Sequence, residues 1–251
     1  MLDREKFSCL TRSADVRLLV QIIQKRGESL CLLQGHISIA ISMAYRLVLN
    51  LYGRRRLGRF ESISCLVVGL LNLSGKIGGL RQAMGKLVAQ SLYQKRYLES
   101  TACIKTIRID GVEVVLFSEA ELTMYRESVP SVLLQTEVVI STLLDFDFAF
   151  IDVHAGFGPR LQASDLPAST KKTAWVLLSD MVFCGLGTLF TAEVLMTGAE
   201  YIAINLHNYG SKTKDWLPNH TPSGLVLELE SELMYVYRNN WLASVGFNRH
   251  K

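Results

Sequence analysis

After residue 60 the chain alternates short, continuous apolar runs with amphipathic stretches, and no other feature constrains its fold so strongly. "ISCLVVGLL" (63–71), "IKTIRID" (104–110), "VEVVLFS" (112–118), "DFAFIDV" (147–153), "AWVLLSD" (174–180) and "YIAINLH" (201–207) read as strands. Between them, "LRQAMGKLVAQSLYQKRYL" (80–98) places Leu80, Met84, Leu87, Val88 and Leu92 on one helical face. "VPSVLLQTEVVISTLL" (129–144) is helical with Pro130 in its first turn, "TLFTAEVLMTG" (188–198) is a helix closed by Gly198, and a last helix runs from Leu225 or Ser231 to Trp241. Strands that are apolar throughout, alternating with helices, predict a doubly wound α/β domain over residues 61–251. Its sheet is mostly parallel, with helices on both faces.

The first 60 residues follow a different period. Val16, Leu19, Val20 and Ile23, then Ile37, Ile41, Tyr45 and Val48, recur at helical spacing, with "KRGES" (25–29) separating two helices. A basic helical segment, 1–60, is therefore expected ahead of the α/β domain. It holds 11 Lys and Arg against 4 Asp and Glu, whereas the remainder holds 16 against 19. The excess peaks at "YGRRRLGRF" (52–60), where Arg54, Arg55, Arg56 and Arg59 form a cluster that attracts nucleic acid or an anionic membrane surface. A solvated helix end is the plainer reading of the same residues. A membrane span needs roughly 20 apolar residues; Leu30 to Tyr45 is shorter and contains Gln34 and His36. Five singly placed cysteines without CxxC spacing and a charged amino end without a secretory signal predict a reducing, cytoplasmic setting. Peripheral membrane attachment through the arginines stays open.

In a doubly wound sheet ligands sit beyond the carboxyl ends of the strands. That rule draws together the loops after Leu71, Val153 and Ile204. The first, "NLSGKIGG" (72–79), offers Gly75, Lys76, Gly78 and Gly79, with Arg81 following, and such a loop at a helix amino terminus suits a phosphate. The second belongs to "FDFAFIDVHAGFGPR" (146–160), where an apolar run ends at Asp152, His154 follows, and Gly156 and Gly158 open a loop.

On these residues the chain resembles the ParA/MinD group of ATPases, which carry a deviant phosphate loop, over about residues 63–245. Lys76 falls on the signature lysine and Gly78 on a glycine. Ile77 and Leu80 replace other glycines, Arg81 stands at the catalytic lysine, and Gln82 at the magnesium-binding threonine. "FDFAFIDVHAGFG" is similar to the second-switch segment, which puts Asp152 near the metal, and "YIAINLH" to the strand bearing the adenine-side Asn205. The resemblance implies ATP with Mg²⁺ as cofactor. It also implies a divergent, even inactive, nucleotide-binding protein that positions or regulates something at DNA or membrane, with a second copy of the chain as a further partner.

A second, local resemblance is to a zinc carboxypeptidase-like family, whose "D-x-H-T-G-x-G" segment is similar to "IDVHAGFGPR". It implies His154 as a Zn²⁺ ligand and Glu228, in "GLVLELE", as the general base. "GHISIA" then offers His36, with Ile39 at the position of the ligand glutamate. Hydrolysis, or an inactive relative of a hydrolase, is the alternative function. A third similarity, of the same loop to the cofactor loop of methyltransferases, leaves only 93 residues after Gly158, too few for the strands that fold needs. A strand-end histidine that is only hydrogen-bonded is the plainer reading of His154.

Overall fold

A computed structural model describes residues 14–51, 63–79, 106–109, 112–115, 129–207 and 223–238. They form helices α1 (Ala14–Ser29), α2 (Gln34–Leu51), α3 (Ile63–Ile77), α4 (Val129–Leu143), α5 (Val153–Ala163), α6 (Ala168–Phe183), α7 (Ala192–Leu206) and α8 (Ser223–Arg238). A two-stranded ribbon, β1 (Thr106–Ile109) and β2 (Val112–Val115), lies between α3 and α4 in the sequence. Its strands pair antiparallel, from Thr106 opposite Val115 to Ile109 opposite Val112.

The doubly wound parallel sheet is thereby overturned. "ISCLVVGLL" is the body of α3, "AWVLLSD" lies inside α6, and "YIAINLH" is the end of α7. "DFAFIDV" is irregular chain running into the first residue of α5. Gly198 is interior to α7 rather than its cap. The helix expected over 80–98 lies outside the described residues.

The chain divides into two compact units that meet in sequence at Phe150 and Ile151. In the first, α1 packs on α2 and α3, and α3 packs on α2 and α4. The residues that set the helical period of the amino-terminal stretch, among them Val20, Ile23, Ile41, Tyr45 and Val48, are buried in its core. Val67, Leu70 and Leu71 of α3 and Ile140 of α4 join them. Each such side chain contributes roughly 1.5–3 kcal/mol when fully withdrawn from water. Gly69 lets α3 and α4 approach: a Cβ there would lie 2.9 Å from both Ile140 Cδ1 and Thr136 Cγ2.

In the second unit α7 is central, packing on α5, α6 and α8. Phe157, Leu178, Met181, Leu195, Ile202 and Leu229 fill its interior. Gly198 makes room for α8, since a Cβ on it would sit 2.4 Å from Leu229 Cδ2. Thr191 caps α7, its side chain accepting from Val194 N–H, and Glu193 in the first turn complements the helix dipole. No helix among the described residues is long and apolar enough to cross a membrane.

Candidate functional site

The stretch around Asp152 and His154 is a helix start. Asp152 is the N-cap of α5, and its Oδ1 accepts from His154 N–H and Ala155 N–H, both at 3.0 Å. Those two donors would otherwise be orphans of the first turn. Gly156, Gly158 and Pro159 then lie within the helix, three residues that oppose it by about 1 kcal/mol per glycine and 3 for the proline. Tertiary contacts hold it instead. Phe157 is fully buried and stacks on Trp175 at 6.3 Å, and Leu161 is buried beside it.

His154 is 4% exposed, edge-on to Trp175 with ring centroids 5.1 Å apart. Its Nε2 lies 3.1 Å from Ser179 Oγ, and Ser179 donates its own proton to the Trp175 carbonyl at 3.0 Å. With the hydroxyl proton on that carbonyl, Nε2 is the donor of the pair. Burial pushes the His154 pKa down to about 4, against a smaller upward pull from Asp152. A serine nucleophile needs the opposite direction of transfer, with the histidine accepting from the hydroxyl. Ser179 is therefore not activated in this arrangement.

For a metal, the resemblance asks for His154, Glu228 and His36. His154 meets α6 through Ser179 and Trp175, while Glu228 belongs to α8, which packs on α7 and reaches α6 through Tyr237. His36 is buried in the first turn of α2, in the other unit. Its ring lies against Gly78, where a Cβ would come within 2.4 Å of His36 Cδ2. Among the described residues no group of three or more His, Cys, Asp or Glu could hold a metal ion.

The phosphate candidates occupy a helix end of the wrong polarity. Gly75 is buried within α3 and Lys76 is in its last turn. Gly78 and Gly79 follow as the stop, with Gly79 left-handed at φ 78° and its N–H on the Lys76 carbonyl at 3.2 Å. A helix carboxyl terminus presents carbonyl oxygens and the negative end of the dipole, which favours cations over phosphate. Lys76 Nζ is taken up at 2.6 Å by Glu137 Oε2 of α4. Asn72 Nδ2 donates to the other oxygen of the same carboxylate, so the buried Glu137 is satisfied from α3 on both sides. The strand expected ahead of the loop is replaced by a helix and its cap, and the helix expected after it lies outside the described residues. Asn205 lies in the last turn of α7, where its carbonyl accepts from His207 N–H. Arg81, Arg54, Arg55, Arg56 and Arg59 lie outside the described residues.

The densest polar cluster is one that strand readings conceal. Arg160 of α5 reaches α7 with its whole fork: Nε to Glu200 Oε2 at 3.0 Å, Nη2 to the same oxygen at 2.8 Å, Nη1 to Glu193 Oε1 at 2.7 Å, and Nη2 to Thr197 Oγ1 at 3.1 Å. Glu200 is fully buried, and its Oε1 has no hydrogen-bond partner among the described residues. Burial pushes the Glu200 pKa up, with the Arg160 charge pulling the other way. Glu193, Thr197 and Glu200 stand at i, i+4 and i+7, one face of a helix. The spacing is visible in the sequence, but only once "YIAINLH" is seen as helix. Near the far end of α6, Asp180 accepts from Tyr237 Oη at 2.6 Å and ties in α8.

Asp152 thus caps α5, His154 meets Ser179 within the core, and Lys76 ties α3 to α4. Comparison with protein-family models and with curated proteins returns no match.

Proposed function

We propose that the chain is a helical binding module that contacts the phosphate backbone of a nucleic acid through the segment bearing Arg54, Arg55, Arg56 and Arg59. The observation that carries the reading is the charge pattern: four arginines within six residues, directly after α2, in a 60-residue stretch whose basic residues outnumber its acidic ones 11 to 4. Arginine is always charged and its planar fork pairs with phosphate oxygens two at a time.

The packing of α2 favours nucleic acid over a membrane. Ile37, Ile41, Ala44, Tyr45, Leu47 and Val48 are buried in the first unit's core, so the apolar run before the arginines is not free to enter a bilayer. Charge alone contributes on the order of 1 kcal/mol per arginine at an anionic bilayer, and stable attachment takes a second, apolar signal. Counterion release from a duplex needs no such partner.

The test is fluorescence anisotropy with a short labelled duplex across a salt series, beside co-sedimentation with phosphatidylserine vesicles. Wild-type protein should bind the duplex with a log–log salt slope of about −0.9 per phosphate engaged, hence about −3 to −4 for four arginines. Replacing all four with glutamine should abolish binding. Wild-type protein that ignores the duplex at low salt, or prefers the vesicles, sinks the proposal.

A further inference from the structure

The chain passes from its first compact unit to the second through a strap that follows α4, and that strap is held in an unusual way. Asp145 ends α4 in the left-handed conformation at φ 52°, with its N–H on the Thr142 carbonyl and the next N–H, that of Phe146, on the Ser141 carbonyl. This is a Schellman stop, a position at which aspartate is tolerated. Phe146 is left-handed as well, at φ 54°, and 65% exposed. A bulky aromatic held there without burial signals that its surroundings fix the backbone.

The fixing group comes from 101 residues earlier in the chain. Arg46 of α2 places Nη2 2.5 Å from Asp147 Oδ2 and its guanidinium 5.5 Å from the centre of the Phe150 ring. Asp147 Oδ1 accepts from Ala149 N–H at 3.1 Å, closing the strap on itself. One turn further along α2, Asn50 donates to the Leu143 carbonyl at the end of α4 at 2.9 Å. Beyond Phe150 the grip ends: Ile151 is 71% exposed, and Asp152 already caps α5.

We infer that Arg46 is a latch that clasps the strap 145–150 by Asp147 and Phe150, and that its release frees this strap from the end of α2. Both members of the ion pair are more than one third exposed, so the latch is salt-sensitive: exposed pairs are screened and cation–π contacts alone are weak. Ionic strength, or any polyanion that competes for Arg46, opens it.

Limited proteolysis of the full chain with chymotrypsin, read by mass spectrometry, tests this at Phe146, Phe148 and Phe150. Rates are normalised to a phenylalanine-containing peptide added as an internal standard. In low salt the wild-type strap is cut slowly, and near-molar salt accelerates the cut by roughly two- to fivefold. Arg46→Met keeps the stem but loses charge and fork; it is cut fast at both salt concentrations. Arg46→Lys, which keeps only the charge, falls between. Equal strap cleavage in wild type and Arg46→Met at low salt overturns the latch. So does acceleration of every cleavage site alike, because that is general destabilisation rather than release of one strap.

Discussion

His154 illustrates how burial converts a residue that looks catalytic into a structural one. Its ring is neutral with the folded-state pKa near 4, well below the value of about 6.5 for an exposed histidine. The unfolded chain takes up a proton as pH falls through about 6.5, and the folded chain resists until about 4. The group's contribution to stability is therefore complete above 6.5 and lost on acidification towards 4, by at most on the order of 3 kcal/mol. Replacing it with phenylalanine leaves Ser179 Oγ without its donor, so His154→Phe should cost about 1–3 kcal/mol at pH 7. At pH 4.5 that cost should shrink or reverse, because the variant has no histidine to protonate. Urea denaturation of both proteins at the two pH values measures the difference, and the opposite titration of Glu200 cancels between them. A cost that does not change with pH contradicts the buried neutral imidazole.

At the scale of elements, the stops of helices are specified by left-handed residues, and not all of them are glycine. Gly79 and Gly185 adopt φ 78° and 79° after α3 and α6. After α1 the same position is filled by Cys31 at φ 53°, with its N–H on the Glu28 carbonyl and that of Leu32 on the Gly27 carbonyl. Cys31 is exposed, so little packing offsets its strain. Cys31→Gly should raise stability by about 0.5–1 kcal/mol, the relief of the left-handed cost less the entropy glycine adds to the unfolded chain. A thermal midpoint that fails to rise by a few degrees argues against the Schellman stop. These stops also explain what the sequence hides. "NLSGKIGG" reads as a phosphate loop because it is glycine-rich, yet Gly75 is inside α3 and Gly78 and Gly79 close it. The start of α5 is disguised in the same way by Gly156, Gly158 and Pro159, and Arg160, which holds that helix down, goes unread.

For the whole molecule, legibility followed burial. α1 lies with one face in the core and one outside it, so its 3.6-residue period is plain in Val16, Leu19, Val20 and Ile23. α3 is buried without a break from Leu66 to Gly75, and α6 from Leu177 to beyond its end. A helix enclosed on all sides has no polar stripe, and its continuous apolar run is then indistinguishable by period from a buried strand. The parallel-sheet expectation came from these enclosed helices, and with it came the strand-end site. The charge asymmetry of the first 60 residues needs no fold to be read, and the functional proposal rests there. The most direct test of the account is the backbone conformation of the three segments that a sheet would claim. Assigned NMR Cα and Cβ shifts should be helical without interruption over 63–77, 168–183 and 192–206. Strand-type shifts over 63–71, 174–180 or 201–207 would contradict the helical architecture and return Lys76 and Asp152 to the ends of strands.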